Sequence, residues 1–251
     1  MEDRKGTRIQ SVSRAARLLR LVARLPEEER SATRFAEELG TSVPTAYHLL
    51  NTLVDAGLLA RDERKTYMFG VAMDVLSAAH ARQSSPPPEL VAPLRGIITA
   101  TGETAYFSAW RNGEPVVLAQ LSGTHAVQVA NLRTGYGGAA NARASGKVLL
   151  AFTTTEERER YLAMHPLEPA TPHTIVDPDD FRKELARVAR EGYSTEIEEF
   201  SEGVACVAVP VWSDTVLLGC YTISAPVERF SSRRDTYLDA LRAATSEFAG
   251  A

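Results

Sequence analysis

Between Thr41 and Arg61 the string TSVPTAYHLLNTLVDAGLLAR changes its hydrophobic period from helical to extended within a few residues, a switch that few folds accommodate. Over residues 44 to 56, a rotation of about 100° per residue gathers Ala46, Leu49, Leu50, Leu53 and Val54 into an arc of roughly 140°. The opposite side carries Pro44, Thr45, Tyr47, His48, Asn51 and Thr52, with no acid before Asp55. A hydroxyl residue just ahead of Pro44 is available as a cap, and proline suits a first helical position. After Gly57 the period becomes two: Leu58 to Arg61, a charged turn at Asp62-Glu63-Arg64-Lys65, then Thr66 to Phe69.

Two helices precede this segment. From Ile9 to Leu25 the apolar residues Ile9, Val12, Ala16, Leu19 and Val22 recur at helical spacing between arginines, and Pro26 stops the run. Ser31 opens a shorter helix with Phe35, Ala36 and Leu39 inward, closed by Gly40. Three helices and a hairpin in this order predict a winged helix-turn-helix with a basic hairpin tip. Such a module sets its second paired helix into the major groove of double-stranded DNA, which makes Thr45, Tyr47, His48 and Asn51 candidates for base edges. Asparagine in particular can pair bidentately with adenine. Arg14, Arg34, Arg61, Arg64 and Lys65 are the phosphate candidates. The charge distribution agrees: residues 1 to 70 hold 12 basic and 10 acidic residues, and the remainder 16 and 22, so a net −4 chain splits into +2 and −6. Seven basic residues fall before residue 26 against two acids, a hint of a basic arm. The competing reading is a protein-docking module whose polar helix face meets only water.

Downstream, a helix of mostly small residues runs from Val71 to about Arg82, with Val71, Val75, Leu76 and Ala79 on one side, and Ser84-Ser85-Pro86-Pro87-Pro88 ends it. It reads as a linker, and its alanine-rich face as a contact between copies of the chain. From Glu89 the pattern becomes mixed. A helix with Leu90, Val91, Leu94 and Ile97 inward precedes strands at Tyr106 to Trp110 and Val116 to Leu121, turned by Asn112-Gly113. Further strands are expected at Val204 to Val211 and Val216 to Ile223, with helices at about 146 to 152, 155 to 164, 178 to 191 and 232 to 248. The fold class is therefore α+β: a winged helix-turn-helix over 1–70, a linker over 71–88 and a domain with an antiparallel sheet over 89–251.

Several function classes recede at once. No apolar run approaches the ~18 to 20 residues a membrane-spanning helix needs, so no membrane partner is expected. The basic, amphipathic start could pass for a transit peptide, but Glu2 and Asp3 are unusual there and the segment serves better as a first helix. Cys206 and Cys220 make no disulfide scaffold, no Cys/His cluster has zinc spacing, and a reducing cytoplasm is the expected compartment. No cofactor is expected. The segment ASGKVLLAF tempts a phosphate-loop reading, which fails because Asn141 stands where a glycine belongs and Val148 where Ser or Thr belongs. What survives is a helix N-terminus whose amides near Ala144 and Ser145 can hold a polar ligand group, unless Ser145 merely caps the helix. Thr222 and Ser224, two apart, share one face of a strand.

The order of elements resembles the IclR family of bacterial transcription regulators along nearly the whole chain. The resemblance is carried by SVSRAARLLRLV, SVPTAYHLLNTLVDAGLLAR, TYMFG, LRTGYGGAANARASGKVLLAF, EGYSTEIEEFSEGVACVAVPV and TISAPVERF. It departs at the recognition helix, where Val43-Pro44-Thr45 and His48 replace the family's usual Lys-Ser-Thr and arginine, so no operator sequence carries over. The resemblance implies a GAF-like effector-binding domain whose pocket takes polar contacts from Ala144, Ser145, Glu196, Cys206, Thr222 and Ser224. Phe107 and Leu132 are candidate apolar walls. A carboxylate at Glu196 would disfavour a carboxylate effector unless a cation or proton intervenes, which points to a small organic effector with a hydrogen-bond donor. Half-sites of a palindromic operator imply a homodimer or homotetramer, and both repression and activation fit. The alternative is a hydrolase using Cys206 with His173, or Ser145 with Lys147; neither pair belongs to a recognisable signature, and G-x-S-x-G is absent around Ser145.

Overall fold

Two short helices of the first unit each begin at a serine whose hydroxyl caps the first turn. The computed structural model describes residues 9–129 and 132–248, and its contacts divide the chain into two units after Ser84. In the first unit, α1 (Gln10–Arg24) is followed by a short 3-10 turn, α2 (Ala32–Leu39), α3 (Val43–Asp55), β1 (Leu59–Arg61), β2 (Tyr67–Phe69) and α4 (Val71–Ser84). The Ser31 hydroxyl accepts from the Arg34 amide at the start of α2, and Gly40 adopts φ 62° at its end. Ser42 caps α3 by accepting from the Thr45 amide, so Pro44 falls one residue further into the first turn than expected. Residues 62–65 turn the hairpin, with Asp62 Oδ1 accepting from the Thr66 amide and Lys65 at φ 65°. Leu18, Val22, Phe35, Leu50, Leu53, Leu59 and Tyr67 form the core of this unit.

One register differs from expectation. The buried residues of α1 are Leu18, Leu21 and Val22, whereas Ile9 and Val12 are 65% and 63% exposed. Both sets have helical spacing; α2, α3 and the hairpin pack on the C-terminal half of α1, and among the described residues its first turn stays exposed.

The second unit contains α5 (Pro88–Val91), α6 (Pro93–Thr101), β3 (Thr104–Arg111), β4 (Glu114–Leu121), α7 (Ala144–Phe152), α8 (Thr155–Met164), α9 (Pro178–Glu191), β5 (Ser194–Ile197), β6 (Val204–Ser213), β7 (Val216–Pro226) and α10 (Val227–Thr245). Its strands form one antiparallel sheet in the order β4-β3-β7-β6-β5. Asn112 and Gly113 turn β3 into β4 with φ of 53° and 83°, the positive values a two-residue hairpin needs. Alternation along the strands creates two cores. Phe107, Val207, Val209, Tyr221 and Ile223 pack toward α6 and α10, while Trp110, Cys206, Ala208 and Cys220 pack toward α7 and its neighbours. Strand β5 escaped the sequence reading because Ser194-Thr195-Glu196-Ile197 is too short and polar to show a period, and α10 begins five residues before the expected 232.

Gly146 sets the geometry under α7. A Cβ there would lie 2.3 Å from the Ala140 carbonyl oxygen and 2.5 Å from its Cα, so only glycine lets residues 139–142 cross against the helix. The lysine beside it, Lys147, is fully buried, with Nζ 2.6 Å from Glu199 Oε1, 3.4 Å from the Thr195 carbonyl and 3.7 Å from Glu184. The Gly-Lys pair therefore packs a chain crossing and ties α7 to the 195–199 segment.

Candidate functional site: a helix face and a buried pocket

The polar face of α3 is open in the first unit. Tyr47 is 39% exposed and His48 is exposed; Thr45 and Asn51 are half-buried. Arg61 crosses from β1 to place its guanidinium carbon 5.7 Å from the Tyr47 ring centre and 5.4 Å from that of Tyr67. The Tyr47 hydroxyl is held below its ordinary pKa by a hydrogen bond with Asn51 and then by Arg61. Tyr47, Asn51 and Arg61 thus form one cluster that joins the helix to the hairpin, with Arg64 and Lys65 exposed at the hairpin tip. Arg14 is half-buried on α1. Arg34 does not join this set: Glu29, Glu37 and Glu38 surround its guanidinium at 3.5, 3.8 and 2.7 Å and neutralise it in place. Of the basic arm, Arg4, Lys5 and Arg8 lie outside the described residues.

In the second unit a narrow cavity of about 10 Å³, room for little more than one water, lies between the sheet and the start of α7. Register builds its floor. Glu196, Cys206 and Ser224 are direct cross-strand neighbours on β5, β6 and β7, and Thr222 faces Tyr106 one row away. Seven of the expected residues line it: Leu132, Ala144, Ser145, Glu196, Cys206, Thr222 and Ser224. Phe107 is the exception. It lies on the opposite sheet face, 5.5 Å from the Tyr221 ring, because one step along a strand reverses direction; Tyr106 takes the wall position instead. Val129, Arg143, Phe200 and Val204 also line the cavity and were not anticipated. Arg143 and Phe200 lie within the segments that carry the resemblance, but periodicity does not single them out.

The electrostatics of the floor are unusual. Glu196 Oε2 accepts from the amides of Glu199 at 3.0 Å and Phe200 at 3.4 Å, whereas Oε1 is buried without a partner. Burial pushes this carboxyl up to about 7, against the opposing pull of Cys206 and the two amides. Cys206 Sγ lies 2.9 Å from Ser224 Oγ, and burial, then the Glu196 charge, drives its thiol well above the ordinary range. A thiol so placed is a poor nucleophile. Among the described residues no hydrogen bond joins Cys206 to His173, and Lys147 is an ion-paired ammonium, so neither hydrolase pair is assembled. A surface groove of about 330 Å³ near Tyr161 and His165 is larger, but His165 already binds Glu114 and the Tyr161 carbonyl, and Asn141 binds the Glu168 and Ile175 carbonyls. Unsatisfied groups concentrate at the smaller cavity.

Residues 89–249 match the family pattern described as bacterial transcriptional regulator IclR C-terminal, and residues 11–63 match the IclR helix-turn-helix domain. The chain belongs to the IclR family. It is a DNA-binding transcriptional regulator of that family. The HTH-type transcriptional regulator XynR of Escherichia coli is 30% identical over 210 residues, 82% of this chain and 81% of XynR. The crystal structure of the Thermotoga maritima IclR aligns with a TM-score of 0.68 at 26% identity, covering 96% of this chain and 98% of that one. An IclR homologue from Microbacterium hydrocarbonoxydans, 21% identical and covering 96% and 100% of the two chains, has the same fold with a TM-score of 0.68; that protein was crystallised with 4-hydroxybenzoate.

Proposed function

We propose that this IclR-family regulator senses a small organic molecule in the cavity under α7 and converts its binding into a change of operator affinity. The observation that carries the reading is the cavity floor: Glu196 Oε1 and Thr222 Oγ1 are buried without partners, a cost of about 1 to 3 kcal/mol per group that a ligand would offset. The 4-hydroxybenzoate bound by the Microbacterium homologue supports an organic effector, and a molecule of that size enters this cavity only as its walls move apart. A GAF-like reading of residues 89–251 accords with the sheet and the loop-helix segment that closes one face of it. Residues 1–70 hold DNA, with Thr45, Tyr47, His48 and Asn51 toward base edges and Arg14, Arg61, Arg64 and Lys65 toward phosphates; residues 71–88 link the two parts.

A homodimer or homotetramer presents two recognition helices to a palindromic operator. The exposed Val71, Val75 and Leu76 of α4 support a contact there between copies. An effector then shifts operator affinity only by its differential affinity for the two arrangements of the paired DNA-binding units. The protein acts without catalysis, in the cytoplasm; no described helix is long and apolar enough to cross a membrane. The test joins a thermal-shift screen of small metabolites to fluorescence anisotropy on operator DNA. A compound that raises the melting temperature must also change operator affinity. Stabilisation with no effect on DNA binding at any concentration would refute the coupling.

A further inference from the structure

Among the described residues, the one arginine that lines the cavity has no ion-pair partner. Arg143 immediately precedes α7 and is 2% exposed. Nη2 donates to the Pro115 carbonyl at 2.8 Å, but Nε and Nη1 are buried with no partner. The guanidinium carbon stands 5.3 Å from the centre of the Tyr136 ring. Glu114 is the one carboxylate among its principal electrostatic neighbours, and Glu114 is engaged by His165 at 3.2 Å. Burial lowers the pKa of Arg143, yet a guanidinium keeps its proton in proteins. A desolvated cation without a counter-charge is costly, and proteins resolve that cost by pairing.

A second positive feature lies beside it. Arg143 occupies the cap position of α7 and supplies no side-chain acceptor to the first-turn amides, so those of Ala144 and Ser145, both cavity residues, meet the same space. The remaining walls are largely apolar, from Tyr106, Val129, Leu132, Phe200 and Val204. We propose that Arg143 is the charge-selecting residue of this cavity: its Nε and Nη1, together with the first amides of α7, take the carboxylate of a small, flat, mostly apolar organic acid. The assignment rests on the reading of the cavity as an effector site, and it takes up the case in which a cation intervenes between Glu196 and a carboxylate effector. Glu196 opposes such a ligand only in part, since its carboxyl, on the edge strand β5, is pushed up to about 7 and is about half protonated at neutrality.

Matched pairs of acids and amides separate charge from shape. Benzoate with benzamide, 4-hydroxybenzoate with its amide, and hexanoate with hexanamide are titrated into the full-length protein, followed by thermal shift and calorimetry, for the parent, Arg143→Gln, Arg143→Lys and Leu132→Trp. At least one acid binds the parent and its amide does not; Arg143→Gln weakens that acid on the order of tenfold or more, and Arg143→Lys, which keeps charge without the planar fork, by less. Leu132→Trp, which fills the cavity, abolishes binding. An amide bound as tightly as its acid, or acid affinity unchanged in Arg143→Gln, overturns the role of Arg143 and leaves the effector site standing. Binding that survives Leu132→Trp, or no binding of any probe, overturns the effector site and the proposal together. Should Arg143→Gln fail to fold, the acid-against-amide comparison in the parent decides alone.

Discussion

Helix α3 leaves its polar side chains in solvent, whereas the cavity under α7 buries them, and this difference governs how each region reveals its role. Water satisfies every exposed group on α3 at no cost, so the polar face is recognised by pattern: an apolar arc opposite a continuous set of hydrogen-bonding side chains free of acids. In the cavity each unpartnered polar atom is a liability, and three of the residues that line it carry such atoms: Arg143, Glu196 and Thr222. Two arginines condense the contrast. Arg34 is partly exposed and ringed by three carboxylates, while Arg143 is buried and has none. The cation that looks available in the sequence is already paired, and the one that remains available is hidden.

If the comparison holds, substitutions in the cavity alter stability and its pH dependence, and substitutions on the helix face alter DNA binding with stability unchanged. The largest effect is expected at Gly146→Ala, where the new methyl meets backbone at 2.3 Å; unfolding titrations should show a loss of about 3 kcal/mol or more. Glu196→Gln comes next. The folded carboxyl titrates near 7 against an ordinary 4.5, so the native state holds its proton more tightly; the stabilisation is complete below about pH 4.5 and is lost as pH rises through about 7. The parent should lose up to about 3 kcal/mol relative to Glu196→Gln between pH 5 and 8, read from paired melting curves. A parent and variant with parallel pH profiles would erase the distinction between buried and exposed polar groups.

On the helix face, Asn51→Ala is expected to cost about 1 to 3 kcal/mol at the specific operator and much less on random DNA, measured by gel shift at matched salt. Arg64→Ala should weaken specific and random DNA alike and reduce the salt slope by about 1. Arg34→Ala should leave DNA affinity within about 0.5 kcal/mol, because its charge is already compensated. An Arg34 effect as large as that of Arg64 would show that the three carboxylates release it on DNA.

Much of the first unit was legible because its signals are local. The Ser31 and Ser42 caps, Gly40 and the change of period after Gly57 each act over a few residues and appear in the structure where the sequence places them. The α1 register was less so, since two faces had helical spacing and only packing chose between them. Most of the cavity residues came from the resemblance, and the errors are instructive. Phe107 and Tyr106 are equally plausible walls until pairing with β7 fixes which face each takes. Arg143, beside a segment already under scrutiny, carried no pattern that marked it as a cation without a counter-charge.

Caps, turns and hydrophobic periods depend on neighbours along the chain, and the sequence alone therefore determined the helix-turn-helix, the hairpin and the succession of strands and helices apart from the short, polar β5. The tertiary structure alone decided which strand face meets the cavity, that Lys147 is paired to Glu199, and that Arg143 has no ion pair with an acid among the described residues. Those facts depend on desolvation and on the distance between charges, and both quantities exist only once residues far apart in the chain share one low-dielectric interior.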